Sequence, residues 1–281
     1  MRLQTSTCSS VPTNAYTTSL AVRSYETSSA GVISPATLLR YLEHVATLDS
    51  AARGFDHTWY ERNSSAWVVR EMRLLLWDAP ALAEEMRLAT WLSGYRRVQA
   101  TREYCVWSEP AQRLVARAQG RWAYIDRERG LPLRIPDEMI GRFGAMDYAM
   151  PTEPSPQPRG SGQTSTSEIM LVARAYEADT QRHINNTIYL DWLGEALALA
   201  LEGQAPPGSP SSMTMNDVTP RRYHIQYMRP AQPGDHLRFS TQSGWTGSRR
   251  LAVWQEIRDD SSDQVVAQCR SEYLWRPQRT R

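Results

Sequence analysis

The sequence predicts an α+β chain made of two copies of one unit, each a long helix set against antiparallel strands. Three observations carry this reading. Residues 35–53 and 186–203 place apolar side chains at three- and four-residue spacing, the signature of a helix with one buried face. Strand-like runs follow each of these stretches. A shift of about 150 residues lays the first half on the second, with Tyr25 on Tyr176, helix on helix and Trp122 near Tyr273. Between the halves, residues 151–167 read Pro-Thr-Glu-Pro-Ser-Pro-Gln-Pro-Arg-Gly-Ser-Gly-Gln-Thr-Ser-Thr-Ser. That composition cannot build a core, so it is read as a linker between domains 1–150 and 168–281.

In chain order, residues 1–15 are polar and expected to fray. Residues 16–25 alternate well enough for a strand. Ser34-Pro35 opens the first helix, with Leu38, Leu39, Leu42, Val45, Ala46 and Ala52 on its apolar face and Gly54 as its stop. Strands are expected at 66–76, 85–91, 97–107 and 115–124. In the second half a strand at 169–176 precedes the helix, which Gly203 and the Pro-Pro after it should end. A Pro/Gly/Ser loop at 204–212 leads to strands at 221–228, 236–242, 250–258 and 265–275. Gly94, Gly234 and Gly247 look like turn residues.

Composition narrows the function classes. At 281 residues, 41% hydrophobic and 22% charged, the chain suits a globular protein of one large or two medium domains. A net charge of +2, with Arg interleaved among Asp and Glu, gives no electrostatic case for nucleic acid. No run of ~18 apolar residues suggests a membrane span, and the first ten residues lack the apolar core of a secretory signal. Cys8, Cys105 and Cys269 lie far apart and match neither a disulfide framework nor metal-ligand spacing, so a reducing cytoplasm is expected. Cys269 has no basic neighbour to activate it and is read as core.

The densest chemistry is Asp179-Thr-Gln181-Arg-His183-Ile-Asn185-Asn186-Thr-Ile-Tyr189-Leu-Asp-Trp192. It packs a carboxylate, three amides and an imidazole just ahead of a helix carrying Leu190, Leu193, Leu197 and Leu201. A helix start offers free N–H groups and a dipole that favours negative charge, the makings of an oxyanion site. The spacing alone equally allows an ordinary helix capped by Asn185 or Asn186 beside a surface His. Elsewhere, His44, Glu43 and Asp49 on the first helix, and His57 after it, read as a solvated face. His224 and His236 read as structural strand residues.

These stretches resemble acyl-ACP thioesterases of the bacterial and plant fatty-acyl type. Val22-Arg-Ser-Tyr25-Glu26 resembles the family's opening strand, and Leu39-Arg-Tyr41-Leu42-Glu43-His-Val-Ala46 its first helix. Thr90-Trp91-Leu-Ser-Gly94-Tyr-Arg96-Arg97, Trp122-Ala-Tyr-Ile125-Asp126 and Arg134-Ile135-Pro136 resemble its later first-half signatures. The 179–192 stretch resembles D-x-N-x-H-x-N-N-x-x-Y-x-x-W, and Tyr227-Met-Arg-Pro230-Ala231-Gln-Pro-Gly234-Asp235 a hotdog strand–turn–strand. The resemblance implies a tandem (double) hotdog, two long helices each wrapped by a bent antiparallel sheet.

It also implies a thioester hydrolase without cofactor or metal, acting on an acyl or polyketide-type chain held by acyl carrier protein or CoA. His183 would bind or activate water, with Asp179 or Gln181 positioning it. Amides near Asn185 and Asn186 would polarise the carbonyl, and Tyr189 and Trp192 would complete the substrate site. Trp59, Trp67, Trp77 and Met72 are candidates for an acyl tunnel, or for plain core. Two departures stand out: Gln181 replaces the family Asn, and Pro230 and Ala231 occupy the positions of a Glu and Cys in the plant members. In the first half the equivalents of Asp179 and His183 fall near Ser28 and Val32, so only the second half is expected to carry the chemistry. A hotdog dehydratase, lyase or cyclase, and a non-catalytic acyl-binding protein, are the rival readings. Partner expectations are the thioester substrate, no nucleic acid, no membrane, and a choice of monomer or homodimer left open.

Overall fold

The computed structural model describes residues 11–144, 164–202, 204 and 213–275. It divides into two compact units, one of residues 1–70 and 75–152, the other of 71–74 and 153–281. The first runs β1 (Tyr16–Ala21), α1 (Pro35–Ala52), α2 (His57–Arg62), β2 (Ser65–Leu76), β3 (Glu85–Arg96), β4 (Gln99–Ser108), β5 (Arg113–Asp126) and α3 (Asp137–Phe143). The second runs β6 (Thr164–Val172), α4 (Ile188–Leu201), β7 (Val218–Tyr227), β8 (His236–Trp245), β9 (Arg250–Asp259) and β10 (Val265–Trp275). Strand order is β1-β3-β4-β5-β2 in the first and β7-β10-β9-β8-β6 in the second. The pairs β3–β4 and β4–β5, like β9–β10 and β8–β9, are antiparallel. Each unit is a hotdog, and the chain is a tandem hotdog.

Helix α1 forms where Pro35 presets the first turn and Ser34 Oγ accepts from Thr37 N at 3.0 Å. It buries Leu38, Leu39, Leu42 and Val45 and lies against β1 and β3. Ala52, expected on that face, is exposed. In α4 all four leucines of the expected stripe are buried, and the helix lies against β6 and β8. Register shifts at Leu92/Gly94 in β3, Val106/Trp107 in β4 and Glu272/Tyr273 in β10 mark bulges, the local kinks that let a sheet bend around one helix. Gly94 belongs to such a bulge inside β3, not to a turn, whereas Gly234 (φ +92) and Gly247 (φ +86) do turn the chain in the left-handed region.

Other elements differ from the sequence reading. Residues 164–167, assigned to the linker, are strand, because alternating Thr and Ser pair with residues 241–244 of β8. Residues 1–10, 151–163, Gly203 and 205–212 lie outside the described residues. Tyr25 and Tyr176 end no strand. Each sits exposed in a short 3-10 turn closed by a Glu that accepts from an Arg backbone N–H, Arg23 N to Glu26 at 2.9 Å and Arg174 N to Glu177 at 2.7 Å. Helices α2 and α3 were not expected, since six or seven residues are too few for a helical period to show.

The first unit also buries a charge that the sequence reading left in solvent. Asp49 of α1 is 0% exposed and bonded to Arg53 Nε and Arg102 Nη1, both at 2.6 Å. Arg102 Nη1 reaches Thr90 Oγ1 at 3.2 Å as well, and both guanidinium groups lie over the Phe143 ring. Breaking a buried pair leaves an uncompensated charge. Asp49→Ala is therefore expected to lose roughly 3–5 kcal/mol in urea unfolding, and Asp49→Ala/Arg102→Leu to recover part of that loss. A double variant less stable than the single one would contradict this account.

Candidate active site

The site is built on a small backbone hairpin. Asp179 N donates to His183 O and Arg182 N to Asp179 O, each at 2.9 Å. An isolated bridge joins Ala178 to Ile184 at the hairpin's base. The tip residue Arg182 takes φ +63, a left-handed value uncommon for a side-chain-bearing residue. Asp179 Oδ1 accepts from Gln181 N at 2.8 Å, so the carboxylate braces the turn from within. Asp179, Gln181 and His183 are all half-buried. The His183 imidazole has no hydrogen-bond or ion-pair partner among the described residues, which leaves both ring nitrogens for other work.

The first unit repeats this hairpin with different side chains. Ser28 N donates to Val32 O and Gly31 N to Ser28 O, again at 2.9 Å, and Gly31 has φ +72. Asp179 and His183 thus occupy the positions of Ser28 and Val32, as the internal alignment expects. The support beneath is repeated too: Glu26 accepts from Tyr41 Oη, and Glu177 Oε1 accepts from Trp192 Nε1 at 3.1 Å.

Helix α4 begins at Ile188, two residues later than expected. Asn185 caps its approach, its Oδ1 accepting from Thr187 N at 2.9 Å and Thr187 Oγ1 at 2.6 Å. The two asparagine amides differ. Asn185 N donates to Glu177 O at 3.0 Å and is spent, while Asn186 N–H has no partner among the described residues. The residue equivalent to Asn186 in the first unit is Pro35, which has no N–H at all.

Tyr189 and Trp192, expected to face substrate, are 2% and 7% exposed and spend their polar atoms on the protein. Tyr189 Oη accepts from Ala231 N at 2.9 Å, and Ile184 N donates to Ala231 O at 2.9 Å. The segment holding Pro230 and Ala231 is a turn after β7, and through Ala231 it ties the hairpin to the helix. Tyr227 Oη adds a bond to Asn186 O at 3.1 Å. Tyr189 packs on Trp192 and Tyr227 with ring centroids 5.2 and 5.3 Å apart. Sequence reasoning missed Tyr227, Ala231 and Glu177 as supports, because each acts through a contact far away in sequence. Burial pushes the Tyr189 phenol up to about 12, helped by the charges of Asp235 and Asp179 and opposed by the Ala231 N–H.

The remaining candidates lie elsewhere. His44 is exposed on α1, His57 lies 3.1 Å from Glu61, and His224 and His236 sit on β7 and β8. Cys269 is buried in β10, and burial raises its thiol to about 12. Among the described residues no group of three His, Cys, Asp or Glu side chains is placed to hold a metal. No helix among them is long and apolar enough to cross a membrane.

The fold and the His-bearing hairpin at a helix start define a class of hotdog proteins. Residues 13–143 match the model for the acyl-ACP thioesterase N-terminal domain, and residues 173–281 the model for the thioesterase-like superfamily. An oleoyl-acyl carrier protein thioesterase of Arabidopsis thaliana is 20% identical over 197 residues, 65% of this chain and 54% of that one. The chain thus spans about half the length of the curated relatives it matches. The solved 12:0-ACP thioesterase of Umbellularia californica superposes with a TM-score of 0.74 at 16% identity, covering 93% of this chain and 94% of that one. The acyl-ACP thioesterase of Bacteroides thetaiotaomicron gives 0.71 at 18% identity, covering 92% and 97%. The first half of the chain thus matches the acyl-ACP thioesterase family and the second half the thioesterase-like superfamily.

Tyr189→Phe would leave the buried Ala231 N–H without an acceptor, and a loss of about 1–3 kcal/mol is expected in urea unfolding. The raised phenol also sets an alkaline limit. Its stabilising contribution is complete below pH 10 and is lost as pH rises towards about 12, since the unfolded chain gives up that proton first. Urea unfolding repeated from pH 9 to 11.5 should therefore show a shallower decline in the Phe variant than in the wild type.

Proposed function

We propose that the chain is a thioesterase that hydrolyses an acyl thioester carried by acyl carrier protein or CoA. The second unit cuts, and the first holds the acyl chain. His183 takes a proton from a water molecule whose oxygen attacks the thioester carbon. The charge that develops on the carbonyl oxygen is stabilised by Asn186 N–H at the start of α4. Collapse of the tetrahedral intermediate breaks the C–S bond, and the proton held by His183 passes to the departing thiolate. The products are the free acid and the thiol. Asp179 holds the hairpin that aims His183, and Gln181 shares that turn.

One observation carries this reading. The chain contains the same hairpin and helix start twice, and only the second copy has an imidazole, a carboxylate and an uncommitted N–H at the three positions. The first copy has Val32 and Ser28 there, which supply neither an imidazole nor a carboxylate, and Pro35, which has no backbone N–H to donate. A family whose members include named thioesterases is consistent with hydrolysis as the reaction. The positions of the plant members' Glu and Cys are taken by Pro230 and Ala231, so the proposed proton chemistry rests on His183.

Thiol release from a panel of acyl-ACP and acyl-CoA substrates, C6 to C18 with β-keto and β-hydroxy forms, tests the proposal. His183→Ala should lower kcat/KM by about 100-fold or more. Asn186→Pro, which copies Pro35 and removes the backbone donor together with the side-chain amide, should cost about 100-fold while α4 stays folded. Asn186→Ala should stay close to wild type. Undiminished turnover by His183→Ala would sink the assignment. Substrate consumed without thiol release would favour a lyase, and binding without turnover an acyl-binding protein.

A further inference from the structure

The interior face of β4 and β5 in the first unit holds polar groups that the proposed chemistry does not use. The register pairs Ala100 with Trp122, Arg102 with Gly120 and Tyr104 with Ala118. Directly paired residues share a face, and Arg102 bonds to Asp49, so this face looks towards helix α1. Along it stand a guanidinium, a phenol and an indole, while Gly120 and Ala118 opposite add almost no side-chain volume.

Tyr104 is 0% exposed, and its hydroxyl has no hydrogen-bond partner among the described residues. The Trp122 Nε1 atom is buried and has none either. The two lie close enough for the indole N–H to favour the phenolate, yet they do not complete a bond with each other. Arg102 sends both of its hydrogen bonds among the described residues from Nη1. Two neighbouring groups, the Tyr104 hydroxyl and the Trp122 indole N–H, are therefore unspent in a protein interior, where polar groups are almost always paired. Packing does not require this, since Phe at 104 and 122 would fill similar space without the cost of desolvation.

We infer that these buried donors receive a neutral carbonyl oxygen borne by the acyl chain, so that the first unit favours keto-substituted chains over plain ones. An indole N–H and a guanidinium only donate, and a phenol can donate, so the group that completes the set is an acceptor. Its neutrality follows from the charges around it. Burial disfavours charge at Tyr104; Arg102 favours negative charge there but is already balanced by Asp49 at 2.6 Å, and Glu43 and Asp49 oppose it. A carboxylate would enter a field that is already satisfied, whereas a ketone brings lone pairs without charge.

The inference rests on the reading of the first unit as the acyl-chain holder, and its test is separable from thiol release. Medium-chain acids carrying one ketone at successive positions are titrated calorimetrically against wild type, Tyr104→Phe and Trp122→Phe, with plain acids of equal length as reference. Wild type should bind one positional isomer about tenfold more tightly than the plain acid, as one well-made hydrogen bond allows. That ratio should fall towards one in both variants. The midpoint of thermal unfolding of unliganded Tyr104→Phe should equal or exceed that of wild type, which checks that the fold is intact. A wild type without preference for any isomer, or a preference that survives both variants, would overturn the inference. Failure to release thiol from any thioester would instead overturn the hydrolase reading and leave the titration to decide what these donors receive.

Discussion

A single backbone hydrogen bond, from the first residue of a five-residue hairpin to the carbonyl of the fifth, is what the candidate site depends on. In the second unit it runs from Asp179 N to His183 O. It fixes where the imidazole begins, and it obliges Arg182 to turn left-handed at the tip. The next residues, Ile184 and Asn185, are each held by one backbone amide, to Ala231 and to Glu177. The chain therefore enters helix α4 with Asn185 spent and Asn186 uncommitted. A flexible approach would scatter the imidazole and the donor, and catalysis by positioned groups tolerates little scatter.

The repetition of this hairpin separates scaffold from chemistry within one chain. Both copies keep the bond, the left-handed tip, the Glu beneath it and the polar partner of that Glu on the helix. They differ in what the hairpin carries. The cores differ as well. Asp49 and Arg102 form a buried ion pair in the first unit, whereas the equivalent helix position in the second is Ala200. There Gln255 Nε2 donates to Leu193 O at 2.9 Å and Thr241 Oγ1 at 3.1 Å. At this place the second interior thus uses a neutral, bonded amide where the first uses a buried ion pair. Duplicated units with one copy held to the reaction leave the other free to specialise in holding substrate.

The absence of lysine gives this arrangement its character, because every basic residue is Arg. Arg keeps its charge when buried and offers donors in a fixed fork, which suits Arg102 to an interior site in a way Lys would not.

The sequence by itself determined the elements and the repeat. Leu38, Leu42 and Val45 in α1, and Leu190, Leu193, Leu197 and Leu201 in α4, are spaced by the helical period, and burial is a local consequence of that spacing. It also gathered Asp179, Gln181, His183, Asn185 and Asn186 within one short segment, where no long-range contact is needed to see them. Only the tertiary structure decided which atoms remain available. It spends Asn185 N on Glu177, leaves Asn186 N–H uncommitted, and buries Tyr189 and Trp192 with their polar atoms bonded to Ala231 and Glu177. It also moves Asp49 from an apparent solvated face to a buried ion pair with Arg102, 53 residues away. The physical reason is that periodicity encodes which face of an element is apolar, whereas hydrogen-bond saturation depends on partners that sequence distance does not reveal.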